Sequence, residues 1–137
     1  MILVCDPAGI GFDTKYIFVD PTWAAKNVQC IHTSLISFTG TSRKSCHQNW
    51  MMGYCGVNQE ASDLFSVSNH GFCPIFYNSA FSNNFYAVNE NPNQCIASYK
   101  PAQNVPKDFK MGYQETRKSE VFGELFTPTT KNYPYNV

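Results

Sequence analysis

The stretch CHQNWMMGYCGVNQE, Cys46 to Glu60, is where two readings of the whole chain part. A histidine adjoins a cysteine here, and a second cysteine follows nine positions on. Similar juxtapositions occur in CIH (30–32) and HGFC (70–73), so His32, His47 and His70 all lie within three residues of a cysteine. The pattern belongs either to a metal centre or to a disulfide framework with histidines nearby. Structural zinc takes N and S ligands in a tetrahedron, commonly in pairs from one tight turn such as Cys-x-x-Cys. No such pair is present, and only His70 and Cys73 have a comfortable ligand spacing. Cys46 and His47 are adjacent and would point apart on a strand. The disulfide reading is therefore preferred, and no metal or cofactor is expected.

The cysteines are Cys5, Cys30, Cys46, Cys55, Cys73 and Cys95, an even set spread over two thirds of the chain. In a small domain low in charge this points to three disulfides and an oxidising compartment. Connectivity is not readable from the positions. A Cys46–Cys55 bridge would suit a local hairpin, while Cys5 is expected to pair over long range and tie down the N-terminus. MILV (1–4) is too short for a leader, with no basic residues before it. A mature secreted domain with an added start methionine is the expectation. A true cytosolic start would favour metal or reduced thiols.

Around this framework the apolar runs are short and regularly spaced, as in all-β domains. They include KYIFV (15–19), VQCIH (28–32), SLISFTG (34–40), NWMMGYC (49–55), LFSVS (64–68), FCPIFY (72–77), FYAV (85–88), QCIASYK (94–100) and VFGELF (121–126). Their Val, Ile, Phe and Tyr content suits a pleated surface. Short helices are expected at DPTWAAKN (20–27), NQEASDLF (58–65) and VPKDFKMG (105–112). The expected fold is an all-β sandwich or barrel stapled by disulfides, with one to three short helices; α+β is the alternative.

At 137 residues the chain makes a single domain, 1–137. Ten basic and ten acidic residues balance, which excludes nucleic-acid binding by bulk charge. No run reaches the length of a membrane span. Between Ser45 and Tyr99 there is no Lys or Arg, but there are nine Asn and ten aromatic residues. The chain thus divides into a cysteine-stapled body (1–99) and a charged, cysteine-free section (100–137), whose last part (127–137) looks extended and loosely held.

For chemistry, a ribonuclease-like hydrolase needs an acid and a base beside a cation. His47, His70, Glu60 and Arg43 are the candidates, with His32 and Lys44 in the same inventory, but nothing fixes their geometry and no catalytic residue is assigned. Such an enzyme would place a histidine beside a carboxylate or Arg43. For binding, Trp50, Tyr54, Tyr77 and Tyr86 are the candidate residues of an uncharged aromatic face. If carbohydrate is the ligand, two or more of these rings should be exposed and coplanar. If the partner is a protein, they form an irregular exposed patch. The simplest alternative is that these rings are core.

The small size, six dispersed cysteines, absence of Asn-x-Ser/Thr sequons and the pairs GYC (53–55) and GFC (71–73) form a profile. It resembles the small secreted cysteine-rich proteins of plant-pathogenic fungi, the effector class. That resemblance implies a secreted protein with a role in virulence, acting by surface recognition of a host protein. Surface recognition is the leading expectation for function, with the hydrolase and the carbohydrate-binding module as alternatives.

Overall fold

The computed structural model describes residues 1–7, 21–34, 46–52, 67–89, 96–112 and 120–137. Four strands form one sheet: β1 (Ile2–Cys5), β2 (Val28–His32), β3 (Gln48–Met52) and β4 (Gly123–Thr127). They lie in the order β1-β2-β3-β4, and every neighbouring pair is parallel. Among the described residues one α-helix, α1 (Val67–Ser79), lies in the connection from β3 to β4. The described residues therefore form a disulfide-stapled, mixed α/β arrangement with a helix, which bears out the expected staples and helical content in part but is not clearly the all-β sandwich or barrel.

The parallel arrangement explains the strand sequences. Both central strands, VQCIH and QNWMM, are buried at every position. Strands of a parallel sheet are covered on both faces and lose the polar–apolar alternation of a half-exposed strand. The edge strands β1 and β4 keep partial exposure.

On one face, Cys5, Ile31, Trp50 and Leu125 lie side by side across the sheet. The main core forms over this row from Cys73, Phe76 and Ala80 of α1 and the turn after it, joined by Phe85, Phe109, Met111 and Val121. Trp50 stacks on Phe109 with ring planes within 1° of parallel. On the opposite face, Val28 and Cys30 pack with Cys46, Val4 and Ala25 in a smaller cluster.

The row before Ile31 and Trp50 is polar yet buried. Gln29 Nε2 donates to Gln48 Oε1 at 2.7 Å, and Gln48 Nε2 donates to the Val121 carbonyl at 2.9 Å. Gln29 Oε1 accepts from the Gly112 amide, and Gln48 Oε1 also accepts from Trp50 Nε1. Each amide group thus finds partners, which is what permits its burial.

FCPIFY (72–77), expected as a strand, belongs to α1. Asn69, Cys73, Phe76 and Ala80 are buried while Gly71, Pro74, Ile75 and Asn78 are exposed, a helical stripe. Pro74 sits inside the helix, where it has no N–H to give the His70 carbonyl. The helix expected at 20–27 is reduced to a 3-10 turn, Pro21–Trp23. That expected at 105–112 is a series of turns ending in a bridge from Lys110 to Tyr86. In FYAV (85–88), Tyr86 and Val88 form isolated bridges only. The strand expected at 15–19 and the helix at 58–65 lie outside the described residues.

Among the described residues two disulfides are formed, Cys5–Cys73 and Cys30–Cys46. Cys5 pairs across 68 residues, as expected of it. Cys46 pairs with Cys30 instead of Cys55: register sets Cys30 beside Asn49, and Asn49 Nδ2 donates back to the Cys46 carbonyl at 2.8 Å, which holds Cys46 at the same place. Cys55 and Cys95 lie outside the described residues.

Candidate functional site

Strands of a parallel sheet deliver their following residues to one rim, the carboxyl end, where ligands of open α/β sheets bind. Asp6 follows β1 there, and Thr33 and Ser34 follow β2. Asp6 has a backbone φ of 38°, a left-handed conformation that Asp tolerates better than most residues. Its amide donates to the Ile31 carbonyl at 2.7 Å, fixing the strand end to its neighbour. Its side chain is almost wholly buried, and Oδ1 accepts from the amides of both Thr33 and Ser34 at 2.8 Å.

The second carboxylate oxygen faces α1. His70 Nδ1 lies 2.7 Å from Asp6 Oδ2. The His70 side chain is 43% exposed, whereas that of Asp6 is 1% exposed. A carboxylate oxygen accepts, so Nδ1 carries a proton, and in the neutral ring Nε2 keeps its lone pair. Nε2 takes no hydrogen bond from the described residues. Burial raises the Asp6 pKa above its ordinary value; the Ser34 amide, the His70 hydrogen bond and the Thr33 amide pull it back down in that order. Thr33 Oγ1 and Asn69 Oδ1, sequence neighbours of this network, are buried without a hydrogen-bond partner among the described residues. A buried carboxylate, an exposed imidazole and unsatisfied polar atoms together mark a candidate functional site.

The other histidines are elsewhere. His32 Nε2 donates to Asn49 Oδ1 at 3.1 Å and is buried. His47 Nδ1 accepts from the Val28 amide at 3.0 Å, and its ring meets Phe122 edge-on, at the amino end of the sheet. Of the two histidines proposed for catalysis, His70 alone meets a carboxylate. That carboxylate is Asp6, which sequence reasoning did not select; Glu60, Arg43 and Lys44 lie outside the described residues. The signal for Asp6 was slight: an Asp-Pro turn directly after a strand and a cysteine.

Of the aromatic candidates, Trp50 is fully buried and belongs to the core, a correction that removes it from any binding face. Tyr77 is half-buried and packs edge-on against Phe81. Tyr86 is exposed and lines a cleft at the carboxyl end of β4. Tyr54 lies outside the described residues. Among the described residues no group of three or more His, Cys, Asp or Glu side chains could hold a metal ion. Nor, among them, is any helix long and apolar enough to cross a membrane. No family model matches the chain, and no curated protein matches it either.

Proposed function

We propose that the protein is a small secreted hydrolase in which His70 is the general base and Asp6 holds it. One observation carries this: an exposed imidazole bound through Nδ1 to a buried, amide-anchored carboxylate at 2.7 Å. A water, or a hydroxyl of the substrate itself, gives its proton to Nε2 while its oxygen attacks an ester carbon or phosphorus. Ionised Asp6 stabilises the resulting imidazolium, which returns the proton to the departing alkoxide. No protein nucleophile is required, in keeping with ribonuclease-like chemistry. The two disulfides support an extracellular setting.

The test is hydrolysis of a dinucleoside phosphate and of p-nitrophenyl acetate by the wild type, His70→Gln, Asp6→Asn and His47→Gln. The first two variants should lose at least ~100-fold on one substrate, with His47→Gln unaffected. Equal rates for all four proteins would sink the proposal.

Surface recognition of a host or partner protein is a second reading, favoured by Trp23 and Phe122, which are 77% and 60% exposed. Large exposed rings anchor interfaces. Under this reading Trp23→Ala and Phe122→Ala abolish partner binding without altering hydrolysis. Either activity suits the effector-like class that the sequence profile resembles.

A further inference from the structure

We infer that β1 pairs with β1 of a second copy of this chain, antiparallel and about a two-fold axis at Val4. β1 is one edge of the sheet. The amides of Ile2 and Asp6 donate inward, to the Asn27 and Ile31 carbonyls at 2.9 and 2.7 Å. Main-chain groups alternate sides along a strand, so the N–H and C=O of Leu3 and Cys5 point outward. There they take no hydrogen bond from the described residues. At the opposite edge the Val88 amide donates to the Phe126 carbonyl of β4 at 2.8 Å. β1 has no such cover among the described residues, and ILVC has neither the charge nor the proline that usually guards an open edge. An edge of this kind is a template for one more strand.

The edge is complementary to itself. A two-fold axis at Val4 sets Leu3 opposite Cys5 of the second copy, and Cys5 opposite its Leu3. Both are hydrogen-bonded pairs, in which each outward donor meets an outward carbonyl. Val4 faces its own copy across the axis. Electrostatics favour the match, because donor dipoles face acceptor dipoles and ILVC brings no like charges together. Asp6, at a φ of 38°, turns the backbone off the line of the strand, so the edge ends after Cys5. A long foreign strand gains no further pairing groups there, whereas a second β1 matches the edge in length. The product is a closed, isologous dimer, the commonest symmetry among assemblies of one chain. It joins two four-stranded sheets into one and does not depend on the hydrolase proposal.

The experiment is sedimentation of the full chain over a range of concentrations, with amide hydrogen exchange read by NMR at both ends of the range. The wild type should dimerise. Its Leu3 and Cys5 amides should exchange at least about tenfold more slowly in the dimer, while Ile2 and Val4, already bonded to β2, change little. Val4→Lys and Val4→Glu each set like charges at the axis and should self-associate at least about tenfold more weakly, with amide spectra otherwise native-like. Mixed in equal amounts, the two variants should form a heterodimer. The exchange pattern of the wild type decides the pairing even where a variant fails to fold. A monomer at every concentration leaves the edge to some other occupant and overturns the inference. A dimer in which Leu3 and Cys5 exchange as fast as in the monomer overturns it too, as does undiminished self-association of both variants.

Discussion

Cys5 and Cys73 are bonded, with Cα atoms 5.5 Å apart. Cys5 immediately precedes Asp6, and Cys73 follows His70 by three residues, nearly one turn of α1. The bridge clamps the end of β1 to the helix at the place where carboxylate meets imidazole. The same covalent link that stabilises the fold therefore sets the geometry of the candidate site.

Opening this bridge should affect both. The Cys5–Cys73 loop spans 68 residues and the Cys30–Cys46 loop 16. Chain entropy assigns about 4 kcal/mol to the first and about 3 kcal/mol to the second. Urea unfolding of Cys5→Ala/Cys73→Ala and Cys30→Ala/Cys46→Ala should follow that order. Only the first variant should also lose His70-dependent hydrolysis under native conditions.

Asp6→Asn separates the two jobs of the side chain. The amide oxygen can still accept from Thr33 and Ser34, which turns the amide nitrogen toward His70. His70 Nδ1 must then accept, and the ring proton moves to Nε2. Nitrogen-15 shifts of the imidazole should report the exchange of tautomers, while amide spectra stay native-like. Hydrolysis should fall by up to about 10⁴-fold, as expected when a base is held in the wrong tautomer. An unchanged tautomer would contradict the assigned hydrogen bond.

The raised Asp6 pKa has a definite sign in stability. Burial makes the native carboxyl hold its proton to higher pH than the unfolded chain does, where the ordinary value is 3.8. The native state therefore binds more protons across the window from that value up to the raised one. The contribution is fully present below pH 3.8 and is lost as pH climbs through the raised pKa. The stability of the wild type relative to Asp6→Asn should accordingly decline as pH rises from the ordinary value of 3.8 through the raised one. Repeating the comparison in a His70→Gln background takes the facing imidazole out of the difference. A pH-independent difference would mean that burial does not govern this carboxyl.

Gln48→Leu tests the buried amide row. It strands Gln29 Nε2, Trp50 Nε1 and the Val121 carbonyl without their partner. Each buried polar group left unsatisfied costs about 1–3 kcal/mol. A loss of roughly 3 kcal/mol or more is expected by urea unfolding, with a shift in Trp50 fluorescence. A loss below about 1 kcal/mol would show that water or a rearrangement replaces the bonds.

Three of the four strands were legible one by one; β1 (Ile2–Cys5) was not, because MILV (1–4) was weighed only as a leader. VQCIH (28–32) is β2 residue for residue, and NWMMGYC and VFGELF overlap β3 and β4. Their direction was not, because a short apolar run reads alike in a parallel and an antiparallel sheet. Helix α1 was misread as strand for local reasons. It has no acidic residue in its first turn, no basic residue in its last, and Pro74 in its interior. The disulfide at Cys73 and the burial of Phe76 outweigh those weak propensities, and neither is visible locally. His70 could be suspected by residue type alone. Its partner lies 64 positions away and is joined to it only by folding. The aromatic character of Trp50 identified a well-packed residue but not its location, since core and interface favour the same rings.

The sheet order also sets a timetable for biosynthesis. β1 and β2 pair residues 26 positions apart, as in Ile2 with Val28; β2 and β3 pair residues 19 apart, as in Gln29 with Gln48. Gln48 must then wait for Gly123, which is 75 positions downstream. No hairpin can nucleate such a sheet, and contacts this distant in sequence slow folding. At ribosomal speeds the intervening stretch takes on the order of ten seconds to emerge. Throughout that interval the backbone edge of β3 that β4 will occupy has no strand to receive. The nascent chain is most prone to mispairing then, with Trp50 and the amide row still lacking the β4 side of their core.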